Sequence, residues 1–324
     1  MRLLIIGGSI FLGRHLVNQA LEAGHRVAVL NRGTQFPDEQ RVLIAAGKLE
    51  HLIADREKSL SILEGRQFDA VIDTCGYKPE VVSRSLEALR TSGKYVFVSS
   101  ITAYGKFKKL GLTEDDPITY STTEENYGTL KADCEMVAAQ FAKHVIVRPG
   151  LIVGPFDPTD RFTYWPVRVA KGGRILAPGS AAREIQFIDV RDLSQFILHC
   201  ISTGSGTYNV TGPQDKLSMG TFLDTCSKAL NSNCQFVWTE EEKLIEAGVQ
   251  QWSGANSLPL WIDSKDEDNR GFMHISCRRA FQAGLKLSPL AETIADTMKW
   301  HSSRRENKLK TGISDEMEDQ IVQV

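Results

Sequence analysis

The chain has 324 residues, more than one domain usually holds, which predicts two lobes or one domain with a large insertion. Its 42% hydrophobic and 24% charged residues are typical of a globular protein and exclude a disordered or membrane-embedded chain. The net charge of -2 gives no global attraction for nucleic acid or anionic lipid. No run resembles a membrane span or signal peptide, so we expect a cytoplasmic protein without a membrane partner.

The first half of the sequence alternates short β-branched runs with stretches of helix length, which is typical of a parallel sheet covered on both faces. The predicted strands read RLLII, RVAVL, EHLIA, FDAVIDT, KYVFVSS and HVIVRP. Predicted helices begin near Leu12, Glu57, Pro79 and Glu125. Right-handed crossovers would stack these units into a doubly wound α/β sheet, which binds ligands at the carboxyl ends of its strands.

The second half is richer in loops until IQFIDVRDLSQFILHC, which predicts a strand followed by a helix. We expect residues 1–155 and about 185–206 to form a dinucleotide-binding domain. Residues from about 156 to 184 and from 207 to 300 would form a smaller, discontinuous α/β lobe for the substrate. Residues 301–324 are rich in charged residues and serine, which predicts a flexible tail.

A glycine turn, IIGGSIFLG, follows the first strand and opens a helix, where backbone N–H groups favour a phosphate. Gly7 can form the tight turn, and Gly13 can allow close packing of helix on strand. Ile10 replaces the usual middle glycine, so the diphosphate would shift or need help from Ser9 or Arg14. A plain strand-to-helix turn is the alternative for this stretch alone.

The ends of the second and third predicted strands bear on the choice of cofactor. Asn31 and Arg32 offer no carboxylate to repel a 2'-phosphate and one guanidinium to bind it, which favours NADP over NAD. The alternative is an exposed arginine in a turn. Asp55 ends the third strand, where it can accept a hydrogen bond from an adenine amino group.

The segment YGTLK places Tyr127 and Lys131 four residues apart on a predicted helix, within reach of one ligand. A tyrosine with a pKa of roughly 10 is a poor base, and we expect the Lys131 ammonium to lower that pKa and hold the nicotinamide ribose. Ser100 closes the fifth strand and can reach the same substrate oxygen, with Thr102 as the alternative. Since YxxxK is common on amphipathic helices, its context supports this interpretation.

The motifs GGSIFLG, VFVSSITAYG, YGTLK and VRPGLIVGP, in this order, resemble the extended short-chain dehydrogenase/reductase superfamily over about residues 1–210. Within it they are similar to the nucleotide-sugar epimerases and dehydratases. The displaced glycine and the sequence NRG are more similar to an atypical branch that includes the chloroplast stem-loop-binding proteins. The resemblance implies an NADP or NAD cofactor, a small-molecule substrate and a homodimer built on the Tyr127 helix.

The resemblance also implies a catalytic triad of Ser100, Tyr127 and Lys131. Tyr127 would be the acid/base, and Ser100 would hydrogen-bond the same substrate oxygen. The positions that it assigns to the cofactor are Gly7, Gly8, Ser9, Ile10, Phe11, Leu12, Gly13, Asn31, Arg32, Asp55, Thr74, Cys75, Gly76, Ser99, Tyr127, Lys131, Pro149 and Gly150.

Two departures from the resembled enzymes bear on the substrate. Ile101 and Thr102 stand where sugar dehydratases have an acidic pair, so we do not expect dehydration. Ile185 stands where nucleotide-sugar enzymes have an arginine for the substrate diphosphate, which leaves a nucleotide sugar in doubt. Three arginines elsewhere could take that role: Arg161, Arg174 and Arg183.

Three functions remain open on the sequence. The first is an NAD(P)-dependent oxidoreductase or epimerase that transfers a hydride at a hydroxyl or keto carbon of a sugar-like or other small polar molecule. The others are an RNA-binding protein on the same fold and a cofactor-binding regulator without turnover. The densest basic run, KFKKL at 106–110, is too short to track a phosphate backbone, so we expect no nucleic-acid partner. No cysteine or histidine spacing matches metal ligands or a disulfide framework.

Overall fold

The structure, a computed structural model, describes residues 1–122 and 124–323. Its first half alternates strands and helices: β1 (Arg2–Ile6), α1 (Phe11–Glu22), β2 (Arg26–Asn31), α2 (Asp38–Ala45), β3 (Leu49–Ile53), β4 (Ala70–Asp73), α3 (Pro79–Ala88), β5 (Lys94–Val98), α4 (Tyr127–Ala138) and β6 (His144–Pro149). The second half contains β7 (Ile152–Val153), α5 (Tyr164–Ala170), β8 (Gly173–Pro178), β9 (Glu184–Ile185), β10 (Ile188–Asp189), α6 (Val190–Thr203), β11 (Gly206–Val210), β12 (Leu217–Ser218), α7 (Met219–Ala229), β13 (Cys234–Thr239), α8 (Glu241–Glu246), β14 (Gln250–Gln251), β15 (Ser257–Leu258), α9 (Arg278–Gln282), α10 (Leu290–Ser302) and α11 (Asp315–Gln323).

A seven-stranded parallel sheet organises the first lobe, in the order β11-β6-β5-β4-β1-β2-β3. Both faces of each central strand are buried, which explains why these strands are apolar runs without alternation. In β1, Leu3 and Ile5 pack in the core with α1 and α6, whereas Leu4 and Ile6 pack in the core with α3 and α4. The strand order reverses between β1 and β4, which opens a crevice there. The predicted doubly wound α/β fold is confirmed.

A second core forms a smaller lobe around the parallel pair β8 and β13. Helices α5, α7, α10 and α11 contribute to it, and the fully buried Trp165 and Trp261 are among its largest side chains. Trp165 Nε1 donates a hydrogen bond to the Pro259 carbonyl at 2.9 Å, which satisfies its only polar atom. Across the described ranges, no helix has both the length and the apolar character that crossing a bilayer requires.

Two predicted elements differ from the structure, and one helix was not predicted. Residues 207–210, placed by the sequence in the substrate lobe, form the edge strand β11 together with Gly206, beside β6. The segment predicted as a helix from Glu57 contains only a 3-10 turn at Ser61–Leu63, and Gly65 follows with a φ of 71°. Helix α2 escaped prediction because half of its side chains are exposed and only Gln40 is buried.

The chain after residue 300, predicted from its composition as a flexible tail, includes helix α11, which packs against the second lobe. On α11, Met317 and Ile321 lie four residues apart and join the second core. The buried Glu318 pairs with Arg168 at 2.5 Å and accepts a hydrogen bond from a β8 backbone amide at 2.8 Å. The sequence did not predict this packing because charged residues surround the few apolar side chains of the segment.

Candidate functional site

A cavity of about 1430 Å³ opens at the carboxyl ends of the central strands and reaches the second lobe. The structure brings Ser100 and nearly all of the predicted cofactor-binding residues to its wall: Gly7, Ser9, Ile10, Phe11, Leu12, Gly13, Asn31, Arg32, Asp55, Thr74, Cys75, Ser99, Tyr127, Lys131, Pro149 and Gly150. Two predicted positions lie behind the wall. A Cβ on Gly8 would touch Val29, and one on Gly76 would touch Phe97, so both glycines pack against the core.

The glycine turn has the close approaches that require glycine. Gly7 has a φ of +106°, and a Cβ there would lie 2.3 Å from Thr74 Oγ1. A Cβ on Gly13 would lie 2.8 Å from Gly8 Cα. Ile10 precedes α1 without capping it, and its side chain is 53% exposed along the cavity. The first turn of α1 therefore has neither a side-chain cap nor an acidic residue to compete with an anion.

Of the two side chains predicted to help bind the diphosphate, only Ser9 faces the cavity. Its Oγ accepts a hydrogen bond from Asn31 Nδ2 at 2.5 Å. Arg14 lies outside the cavity wall, where it pairs with Glu39 at 2.5 Å and covers the ring of Phe156 at 3.4 Å. The turn therefore offers one neutral hydroxyl and its own backbone to a phosphate.

Arg32 and Asp55, which follow β2 and β3, line one end of the cavity. Arg32 is exposed on its wall, and none of the ion pairs within the described ranges involves it. Asn31 Oδ1 accepts a hydrogen bond from the Gly33 amide at 2.8 Å and lies 2.9 Å from His51 Nε2. Asp55 also lines this end, and its Oδ1 accepts from the Glu57 amide at 3.0 Å.

Helix α4 carries a stripe of polar side chains that runs from the cavity into the core. A capping box between Asn126 and Thr129 fixes where this helix begins. Tyr127, Lys131 and Glu135 follow at intervals of four residues, so they share one face. Their exposed fractions are 53%, 2% and 3%, so Tyr127 is the most open of the three, Lys131 reaches the cavity wall from the core, and Glu135 lies behind it.

The charge environment of Tyr127 differs from the prediction. Burial raises the pKa of Tyr127, and a hydrogen bond with Ser100 and the charge of Arg161 act in the opposite direction. The expected lowering of this pKa by Lys131 is wrong, because the Lys131 ammonium donates to the carbonyls of Gly76 at 2.9 Å and Val98 at 2.6 Å. At neutral pH the phenol is therefore protonated and can donate a proton.

Burial also lowers the pKa of Lys131, from 10.5 to about 8. A lysine whose folded pKa lies below its unfolded pKa destabilises the folded state while it is charged, and this penalty disappears as the pH rises from 8 to 10.5. Relative to Lys131→Met, the wild-type protein should therefore gain about 3 kcal/mol of unfolding free energy over this interval.

Urea unfolding of both proteins at about pH 7 and about pH 10 measures this gain. The exposed Lys216→Met is the matched control and should follow the wild-type pH profile. If the unfolding free energies of wild type and Lys131→Met changed equally between these pH values, the lowered pKa of Lys131 would be wrong.

A buried ion pair ties α4 to the sheet behind the site. Arg148 of β6 donates to Glu135 through Nε at 2.9 Å and Nη2 at 2.7 Å. The hydroxyl of Ser99, at the end of β5, also donates to Glu135, and Arg148 Nη1 lies 3.1 Å from the Tyr104 hydroxyl. One carboxylate thus connects the helix with two neighbouring strand ends.

The outer half of the cavity contains residues that the sequence did not single out. They come from loops with no periodic pattern, so no local signal could have identified them: Asp157, Thr159, Gln251, Trp252, Asn269 and Phe272. Of the three candidate arginines only Arg161 lies here. Arg183 instead pairs with Glu241, and Arg174 donates to the Val322 carbonyl at 3.0 Å. In the described part of the chain, no cluster of three His, Cys, Asp or Glu side chains could hold a metal ion.

Known structures share this architecture at low sequence identity. The UDP-Glc/GlcNAc 4-epimerase from Campylobacter jejuni superposes with a TM-score of 0.70 at 16% identity, covering 94% of this chain and 99% of that one. The Bordetella bronchiseptica enzyme WbmH, solved in complex with NAD+, superposes with a TM-score of 0.68 at 17% identity, covering 93% and 98%. These similarities establish the fold.

Curated relatives are similar in sequence over part of their length. The chloroplast stem-loop binding protein of 41 kDa b from Arabidopsis thaliana is 27% identical over 243 residues, 70% of this chain and 63% of the relative. A UDP-glucose 4-epimerase from Erwinia amylovora is 28% identical over 167 residues, 44% and 49% respectively. The chain thus matches less than two thirds of the length of either relative.

The region with the sheet, the glycine turn and α4 coincides with one family match. Residues 3–211, more than half of the chain, match the NAD dependent epimerase/dehydratase family. This match confirms the resemblance to extended short-chain dehydrogenases/reductases that the motifs indicated. The chain belongs to the NAD dependent epimerase/dehydratase family.

Proposed function

We propose that this protein is an NADP- or NAD-dependent oxidoreductase or epimerase acting at a hydroxyl or keto carbon of a sugar-like or other small polar molecule. One observation carries the proposal: Tyr127, Ser100 and Lys131 line the same cavity as the glycine turn. Family membership supports a dinucleotide, and the phenol supplies the acid/base group that hydride chemistry at an oxygen-bearing carbon requires.

The residues around the glycine turn fit a dinucleotide. The uncapped first turn of α1 presents backbone N–H groups to a diphosphate, and the close backbone packing at Gly7 and Gly13 keeps the turn tight. A cavity of about 1430 Å³ exceeds the roughly 300–1,000 Å³ of a typical ligand pocket, which suits a cofactor and a substrate together. When bound, the nicotinamide supplies or accepts the hydride.

The protein's own groups would then handle the proton. In reduction Tyr127, protonated at neutral pH, would donate its proton to the substrate carbonyl oxygen, and in oxidation its phenolate form would accept the proton of the substrate hydroxyl. The Ser100 hydroxyl accepts from the Thr102 hydroxyl at 2.8 Å, which leaves its own hydrogen for Tyr127 or for the substrate oxygen. The Lys131 ammonium donates to two backbone carbonyls and lies one helical turn after Tyr127. It would donate its remaining hydrogen to a ribose hydroxyl of the nucleotide.

Arg32 favours NADP, whereas WbmH was solved with NAD+. Charge-assisted hydrogen bonds contribute about 1.5–3 kcal/mol, so Arg32→Gln should weaken NADPH binding by roughly tenfold or more and leave NADH binding unchanged. Calorimetric titration of both nucleotides measures the difference. Arg41→Gln, an exposed arginine on α2 outside the cavity, is the matched control.

Two results of these titrations would count against the proposals. Binding of neither nucleotide would overturn the proposed function itself. Equal losses for NADPH and NADH in Arg32→Gln would overturn the preference for NADP only, because the arginine would then contact a part common to both nucleotides.

The relative with a stem-loop-binding name raises the alternative of RNA binding. The basic run of residues 106–110 offers little for such a partner. Lys106 and Lys108 both pair with Asp268, at 2.8 and 3.2 Å, and Lys109 pairs with Asp116 at 2.7 Å. Because two carboxylates offset much of the charge of these three lysines, we favour a small-molecule substrate and no nucleic-acid partner. The homodimer through α4 and the cytoplasmic location stay predictions.

A further inference from the structure

We infer that the outer half of the cavity is a binding site for an anionic group, a carboxylate or phosphate carried by a small hydroxylated substrate, with Arg161 as its anchor. This inference rests on the proposed function, because it describes the substrate of the same site. It concerns Asp157, Thr159, Arg161 and Trp252, which line the same cavity as the glycine turn.

Arg161 is a half-buried cation without a carboxylate partner. Its Nε donates to Thr159 Oγ1 at 3.2 Å, and its guanidinium carbon lies 5.0 Å from the Trp252 ring centroid. No ion pair of the described residues involves it, whereas the half-buried Arg191 and Arg304 both bind carboxylates. The charge of Asp157 acts on Arg161 without an ion-pair contact between the two side chains, so the planar fork of the guanidinium stays available to a carboxylate or phosphate.

Asp157, on the same loop, has a carboxylate oxygen with no partner. It is 3% exposed, and its Oδ1 accepts from the Thr159 amide at 2.9 Å and hydroxyl at 2.7 Å. Its Oδ2 has no hydrogen-bond donor and forms no ion pair with Arg161. A buried carboxylate oxygen without a donor costs free energy, so the loop holds Asp157 in place at an energetic cost. Because Asp157 makes no contact with the guanidinium, the direct partner of Arg161 would come from a ligand.

The loop that carries both groups is fixed from behind. Arg304 Nη1 donates to the fully buried Asp160 at 2.7 Å, and Thr311 Oγ1 donates to the Thr159 carbonyl at 2.9 Å. Such support reduces the entropy that ligand binding must overcome. Arg161 is therefore presented by a rigid loop.

The same arginine acts on the catalytic phenol. Arg161 and Tyr127 line the same cavity, and the charge of Arg161 opposes the burial that raises the pKa of Tyr127. The rings of Trp252 and Phe272 pack edge to face, 4.9 Å apart, and both line the cavity as an apolar wall. These neighbours suit the carbon skeleton of a sugar acid or sugar phosphate.

Calorimetry on the NADPH-saturated protein tests the inference with inorganic phosphate, UDP and glucuronate, and with glucose as the neutral probe. At least one anion should bind while glucose does not. Arg161→Met should weaken that anion by roughly tenfold or more, and Arg161→Lys should fall between wild type and Arg161→Met. Binding of phosphate or UDP would indicate that the anionic group of the substrate is a phosphate, and binding of glucuronate would indicate a carboxylate.

The control is Arg174→Met, an exposed arginine outside the cavity, which should bind the anion like wild type. NADPH titration of Arg161→Met, with an unchanged affinity expected, verifies that this variant is folded. No binding of any anion, equal binding of glucose, or unchanged anion affinity in Arg161→Met would overturn the inference. Failure of NADPH itself to bind wild type would instead overturn the proposed function, and the anion titrations would then be read on the nucleotide-free protein.

Discussion

Tyr127→Phe is expected to lower kcat by roughly 100- to 10,000-fold for any substrate that the wild-type protein oxidises, reduces or epimerises. The substitution removes the only atom of this side chain that can exchange a proton and leaves the ring in place. NADPH and NADH absorbance measures redox turnover, and product analysis measures epimerisation.

Two controls distinguish lost chemistry from lost structure. The affinity of Tyr127→Phe for NADPH should stay within about threefold of wild type, a change below 1 kcal/mol. Tyr208→Phe removes a phenol from the edge strand β11, outside the cavity wall, and should retain wild-type kcat. A kcat for Tyr127→Phe within about threefold of wild type would exclude the phenol as the acid/base.

Glu135→Gln is expected to destabilise the protein by about 3–5 kcal/mol, because it leaves the buried Arg148 charge without its carboxylate. Urea unfolding at neutral pH measures the loss as a shift of the midpoint. Because Glu135 also accepts a hydrogen bond from Ser99, next to Ser100, which we propose to be catalytic, we expect the same variant to loosen that strand end.

Glu50→Gln provides the surface comparison. Glu50 is 41% exposed and pairs with Arg2 and Arg66, so its loss should cost about 1 kcal/mol or less. The double variant Glu135→Leu with Arg148→Met should recover most of the stability, because no buried charge remains unpaired. Equal small effects of Glu50→Gln and Glu135→Gln would show that the buried pair contributes no more than a surface pair.

The features that the sequence predicted well depend on local geometry. The central strands of the sheet are continuous apolar runs. Gly7 and Gly13 lie in a turn where a Cβ at either position would clash with its neighbours. Tyr127 and Lys131 are joined by one helical turn, so their shared face follows from spacing alone. Each of these signals lies within about ten residues of sequence, where periodicity and backbone sterics are sufficient.

The features that escaped prediction depend on distant parts of the chain. Trp252 meets Arg161 across more than ninety positions, and neither residue lies in a periodic segment. The pKa of Tyr127 could not be predicted from its spacing to Lys131, because the ammonium is directed to the Gly76 and Val98 carbonyls. Burial and direction of a side chain are properties of the folded molecule.

The C-terminal segment holds the loop with Asp157 and Arg161 in place, whereas among the described residues it makes no such contact with the glycine turn. The part of the cavity that we propose for the nucleotide is lined by residues before 153, whereas the loop with Asp157 and Arg161 is held by Arg304 and Thr311. We therefore expect a protein that ends before Arg304 to lose the proposed anion binding at Arg161 to a greater extent than NADPH binding, which calorimetry of both ligands measures.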